Sequence, residues 1–159
     1  MGVLMRVAFL VGVVAMVVAV GTVRADAPRP RLVIVMAKDS KITSISKAEL
    51  RRCFSGDPVV LGSQRLVPFN LPPSSAGRVT FDRAILAMSS EEVGRFWVDR
   101  KVRGQSQAPR ALPTAHHVVK IVARFSGAIA YVPIDQVTDD VRVIAIDDAR
   151  PGAAGYPLN

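Results

Sequence analysis

The sequence predicts an α/β layered domain with a mixed or mainly parallel sheet, and three observations carry that expectation. Apolar runs of strand length recur along the chain: LVIVMA from Leu32, AIAYV from Ala128 and VRVIAI from Val141. Between them lie segments with helix-start signals and a helical apolar period. Strands alternating with helices in this way build a sheet with helices packed on it. The third observation is bulk: 159 residues, 50% hydrophobic and 21% charged, are enough for one domain with a real core.

The first residues stand apart from that domain. MGVLMR is basic, Val7 to Val23 is an apolar run with no acidic residue, and RADA offers small residues at the spacing a signal peptidase reads. This is the grammar of a secretory leader over residues 1–27, with cleavage after Ala25 or after Ala27. An uncleaved membrane anchor is the alternative use of the same run. Removing Arg6, Arg24 and Asp26 leaves 19 basic and 12 acidic residues, a net charge of +7. On an exported chain that excess favours anionic solutes or surfaces as partners.

In order, LVIVMA reads as a strand buried on both faces. Ser46 stands three residues before Glu49, a capping box that starts a helix running to Phe54. Cys53, the only cysteine, shares a helical face with Leu50 and reads as a small buried apolar residue. RLVPF is a short strand whose Pro68 suggests an edge or a strand end. A helix is expected from about Gly77 to Met88. Ser89 and Glu92 repeat the capping box before a helix that carries Phe96 and Trp97. Arg100–Pro113 has no period and reads as a long basic loop. Thr114 caps a helix with Val118, Val119, Ile121, Val122 and Phe125 on a broad apolar face, and Gly127 stops it. After the last two strands, residues 149–159 form a Gly/Pro-rich tail.

Chemistry is sparse. His116 and His117 are adjacent, so on a helix their side chains diverge by about 100° and do not chelate one metal from one face. There is no G-x-S-x-G and no acid placed to complete a triad, so the expectation is a protein that is not an enzyme and needs no cofactor or metal. Nucleic-acid binding wants aromatics interleaved with basic groups, and residues 98–113 contain none.

The segment NLPPSSAGRVTF, Asn70 to Phe81, carries the candidate site. A helix N-terminus presents unpaired N–H groups and the positive end of the macrodipole to an anion. Ser74 and Ser75 add hydroxyls, Ala76 and Gly77 allow close approach to the backbone, and Arg78 adds a cation. The alternative on the same residues is a serine cap with Arg78 in solvent.

The ordered set SKAELRRCFSG, RLVPFNLPPSSAGRVTF, FW, Gly104 and RFSGAIAYVP resembles the phosphate-type periplasmic solute-binding proteins of ABC transporters. It is more similar still to their short exported relatives. Cys53-Phe54-Ser55-Gly56 matches one family signal, Ser75 and Phe81 match the serine-centred anion loop, and Ser126 to Tyr131 match a third. The short relatives often carry an arginine where Arg78 sits. Leu71 and Pro73 replace the arginine and aspartate that precede the family's serine, so neither charged contact carries over.

The resemblance spans about Leu32 to Asp147. It implies one lobe of a type 2 periplasmic-binding-protein-like fold over residues 28–148, with a mixed sheet flanked by helices. It also implies a periplasmic or secreted location, Ser74–Arg78 as ligand contacts, and phosphate or a related oxyanion as ligand. An ABC permease or another envelope protein is the implied partner, with no nucleic acid and no membrane contact beyond an uncleaved leader. Half a cleft leaves an anion partly hydrated, so the affinity expected is modest. A non-transport envelope interaction module that keeps the fold without tight ligand binding is the second reading.

Overall fold

In the computed structural model, which describes residues 30–159, β1 (Leu32–Ala37) runs through the interior of a six-stranded sheet. All six of its residues are buried, as a continuous apolar run demands of a strand covered on both faces. The leader expected over residues 1–27 lies outside the described residues. Among the described residues no helix is long and apolar enough to cross a membrane.

The other elements follow in chain order. They are β2 (Ser44–Ile45), α1 (Lys47–Phe54), a hairpin of β3 (Val60–Leu61) and β4 (Gln64–Arg65), and β5 (Val67–Asn70). Next come α2 (Ala76–Phe81), a π-helical turn (Asp82–Leu86), α3 (Ser90–Val102), β6 (Arg110–Ala111) and α4 (Ala115–Arg124). The chain then forms β7 (Ala128–Pro133), a 3-10 turn (Ile134–Gln136) and β8 (Val141–Ile146).

The sheet order is β2-β8-β1-β7-β5-β6. β1 is antiparallel to β7 and β8, while the β2–β8, β5–β7 and β5–β6 pairs are parallel. Five strands therefore point one way around a reversed β1, and the sheet is mixed. Their carboxyl ends share one rim, where α1, α2 and α4 begin. In open α/β sheets this rim is where ligands bind.

The helix starts are those the sequence specifies. Ser46 with Glu49 and Ser89 with Glu92 form complete capping boxes, and Thr114 accepts the His117 N–H. Gly127 has φ +84°, and a Cβ there would lie 2.5 Å from the Arg65 carbonyl oxygen. Only glycine turns the chain from α4 into β7 so close to β4.

Five expectations are corrected. First, the helix expected to reach Met88 loses α-helical form after Phe81. Its π turn widens the ladder by one residue, and Ala87 takes the left-handed conformation at φ 57° to leave it. Second, the basic loop starts later than Arg100, because α3 continues to Val102 and Arg100 pairs with Asp57 at 3.1 Å. Third, Ile121 and Phe125 do not join the buried face of α4 made by Val118, Val119 and Val122; they are 39% and 48% exposed.

Fourth, β5 is not the edge strand, since β6 pairs beyond it. The Val67 N–H points to Gly127 of the β7 side, so Pro68 turns its missing N–H the other way, short of where β6 begins. Fifth, the Gly/Pro-rich segment after β8 is packed on the sheet. Tyr156 and Leu158 are buried, and the Leu158 carbonyl accepts the Leu32 N–H at 3.0 Å.

The two faces of the sheet are covered unequally. α4 packs on β1, β7 and β8 on one face. On the other, Phe54 of α1, Phe81 of α2 and Tyr131 of β7 meet in an aromatic cluster. Phe69 and Asn70 of β5 point to opposite faces, Phe69 toward Phe125 and Asn70 toward Tyr131.

Candidate functional site at the carboxyl rim of the sheet

β5 ends at Asn70, and Leu71 to Ser75 turn the chain into α2 at the shared rim. Two prolines stiffen this turn, and Ser75 closes it. Its N–H and its hydroxyl both donate to the Pro72 carbonyl, at 3.0 and 2.8 Å. Its Oγ also accepts the Arg78 N–H at 3.2 Å. The Ser75 side chain is thus committed within the turn as an N-cap, rather than turned toward a ligand.

Ser74 and Ala76 are exposed beside it. The first intrahelical bond runs from the Val79 N–H to the Ser75 carbonyl. The N–H groups of Ala76 and Gly77 precede it, so they belong to the orphan donors of a helix start. The first turn of α2 holds no acidic residue, whereas Glu49 and Glu92 occupy the first turns of α1 and α3. The start of α1 also receives an internal anion, because Asp147 Oδ1 accepts the Lys47 N–H at 3.0 Å.

Gly77 has a packing role. A Cβ there would meet Leu71 Cδ1 at 2.9 Å and Leu32 Cδ2 at 3.4 Å, so the missing side chain lets α2 lie against the loop and β1. This differs from the expectation that Gly77 opens the backbone to a ligand.

Arg78 is neither in solvent nor turned outward to an anion. Its side chain is 8% exposed, with Nε 2.7 Å from Asp82 Oδ2, and Nη1 donates to the Leu71 carbonyl at 3.5 Å. One guanidinium therefore ties the start of the loop to the helix from behind. Burial pushes the Asp82 carboxyl above its ordinary range, and the neighbouring Arg78 opposes that shift. Asp82 Oδ1 is buried without a hydrogen-bond partner.

A second set of polar contacts holds the same end of the loop, at Asn70. Tyr131 donates its hydroxyl to Asn70 Oδ1 at 3.1 Å, and Asn70 Nδ2 donates to the Pro109 carbonyl at 3.4 Å. The Tyr131 ring stacks on Phe81 at 3.8 Å with 6° between planes. Burial drives the Tyr131 phenol well above the usual tyrosine range, which keeps it a neutral donor. Sequence reading missed Asn70, Asp82 and Tyr131. The spacing of Arg78 and Asp82 by four, at positions that share a helical face with Phe81 and Ile85, was the available signal.

The other chemically suggestive residues are not gathered here. His116 and His117 are exposed at the start of α4, where His117 Nδ1 lies 2.8 Å from Thr114 Oγ1. Cys53 is buried, and burial pushes its thiol up to about 12, far from a reactive thiolate. Among the described residues no group of three His, Cys, Asp or Glu is placed to hold a metal ion. An open depression of about 710 Å³ lies at the opposite rim, between Asp39–Ser44 and the β3–β4 hairpin.

Solved structures share this fold. The chain superposes on an ABC-type phosphate transport receptor from Vibrio cholerae with a TM-score of 0.60 at 15% identity, over 77% of this chain and 48% of that one. It superposes on PstS from Borrelia burgdorferi with a TM-score of 0.57 at 13% identity, over 77% of this chain and 49% of that one. The fold is like one lobe of a type 2 periplasmic-binding-protein fold, a mixed sheet flanked by helices. The chain spans about half the length of these structures. No family model and no curated protein sequence matches it. At this identity the likeness to the phosphate-receptor lobe is one of fold.

Proposed function

We propose that this chain is an exported, non-enzymatic solute-binding lobe that contacts phosphate or a related oxyanion at the turn from Ser74 to Gly77. The observation that carries the reading is the serine turn itself. It stands at the carboxyl rim of the parallel strands, in a lobe shared with phosphate transport receptors. The donors are the Ser74 hydroxyl and the N–H groups at the start of α2, aided by the helix dipole. Ser75 and Arg78 act one step back: Ser75 fixes the turn, and Arg78 holds it to α2.

Because Arg78 is neutralised by Asp82, the anion meets hydrogen-bond donors more than net charge. Binding is therefore weak and only moderately salt-dependent unless a second surface covers the anion. An ABC permease or another envelope protein is the partner class that would supply that surface. Isothermal calorimetry of the chain with phosphate and sulfate tests the reading. Heat at millimolar anion supports it, and its absence with both anions refutes it.

The same buried Arg78–Asp82 pair favours a second reading, an envelope interaction module that keeps the lobe without using the anion turn. A stable partner whose binding is indifferent to Ser74→Ala would support that reading.

A further inference from the structure

The sheet extends past the helix that covers it. α4 packs mainly on β1, β7 and β8, and β5 and β6 lie at the side of the sheet away from β1 and β8. A groove of about 380 Å³ remains there, lined by Phe69, Arg110, Leu112, Ile121, Arg124 and Phe125. Its floor is apolar: Phe69 and Phe125 meet edge to face at 6.3 Å, and Leu112 is buried. Phe125 and Ile121 keep 48% and 39% of their surface in solvent. Arg110 and Arg124 are exposed, no acidic residue lines the groove, and neither arginine forms an ion pair with a described residue.

We propose that this groove docks a short segment of a partner protein in which an aromatic or aliphatic side chain is flanked by carboxylates. Charge selects that occupant. The apolar floor takes the side chain, and the two arginines at its border take the carboxylates in fork geometry. A second copy of the chain would bring two more arginines against these two. The leader fits no better, because residues 1–27 carry Arg6 and Arg24 against one acid, Asp26. A small ligand would stay largely wet against walls as exposed as Phe125.

Strand addition contributes little. Leu112 donates its N–H to Asn70, so along β6 only Ala111 turns its N–H and carbonyl outward, between Pro109 and Pro113. The partner segment is held by side chains, and this surface is independent of the anion turn.

Fluorescence anisotropy with the full chain tests the proposal. The probe is a labelled ten-residue peptide with one phenylalanine between glutamates, and its control has lysines in their place. The glutamate peptide is expected to saturate and the lysine peptide to bind at least about tenfold more weakly. Arg110→Glu with Arg124→Glu, and separately Phe125→Ser, are expected to weaken the glutamate peptide about tenfold. The two arginines are exposed, so their reversal should leave thermal unfolding nearly unchanged. Phe125→Ser also loses the contact with Phe69 and should lower the unfolding temperature by a few degrees at most. No saturation at millimolar peptide, equal binding of the two peptides, or undiminished binding to the charge-reversed variant overturns the proposal. So does a concentration-dependent dimer in sedimentation that Phe125→Ser abolishes, since that assigns the groove to a second copy.

Discussion

Arg78 and Asp82 form a buried ion pair one helical turn apart, Nε to Oδ2 2.7 Å, behind the turn that Ser75 caps. Each side chain is less than a tenth exposed, so each charge depends on the other. Breaking such a pair from one side leaves the partner uncompensated in the interior. Arg78→Ala is expected to cost about 3–5 kcal/mol, measured by urea unfolding. Arg78→Met combined with Asp82→Leu should recover most of that loss, because a well-packed apolar pair often equals a buried ion pair.

The same pair gives a pH signature. The Asp82 carboxyl is raised by burial, so the native state keeps its proton at a pH where the unfolded chain has released it. Native-state proton excess makes this group's contribution to stability fall as pH rises through that window. The wild type should therefore gain on Asp82→Asn as pH falls from neutrality toward about 4, where an ordinary aspartate titrates. Unfolding free energies of both proteins across this range check the sign.

Glu49 behaves oppositely. Its carboxyl is held below the usual glutamate range, first by the Ser46 hydroxyl and then by the Ser46 N–H. A depressed folded value gives stability that is present above the unfolded value and lost as pH falls through the folded one. Ser46→Ala should cost about 1 kcal/mol at neutral pH. The deficit should shrink below pH about 4. Thermal melts at neutral and acid pH measure it.

The two serines of the anion turn should separate cleanly. Ser75→Ala removes the cap of α2 and is expected to lower stability by about 1 kcal/mol. Ser74→Ala touches no internal bond described and should change stability by less than about 0.5 kcal/mol while weakening anion contact. Unfolding and phosphate calorimetry on both variants distinguish the residue that builds the turn from the one proposed to face an anion.

Much of the fold was legible because its signals are local. Ser46 with Glu49, Ser89 with Glu92, and Thr114 start helices through contacts three residues away, and six consecutive apolar residues leave β1 no solvent face. The failures are tertiary. An apolar period of Phe81 and Ile85 fits an α-helix and a π turn alike. Pro68 marks a stretch of β5 unpaired on its β6 side, because β6 pairs only with Phe69 and Asn70, yet β5 as a whole is not the edge strand. Ile121 and Phe125 have the spacing of core residues, but the sheet beneath them is left uncovered. Tyr156 and Leu158 are single apolar residues in a Gly/Pro segment and show no period.

The serine turn between β5 and α2 was legible in the sequence as a segment, and the internal roles of its residues were not. An arginine in the first turn of a helix looks like a ligand contact or a solvated charge. Only the packed neighbours Leu71 and Asp82 reveal that it faces inward. Gly77 likewise looked like an opening for a ligand, and the Leu71 side chain fills that space.

The most direct measurement is a phosphate titration followed by amide chemical shifts, in the wild type and in Ala76→Asp. A carboxylate at the exposed first position of α2 suits the helix dipole and so preserves the fold, but it repels an oxyanion from the same donors. The expected result is that phosphate shifts the Ser74, Ala76 and Gly77 amides of the wild type, and that the shifts vanish in Ala76→Asp. Shifts that persist unchanged in the variant, or wild-type amides that do not respond to millimolar phosphate, would contradict anion contact at this turn.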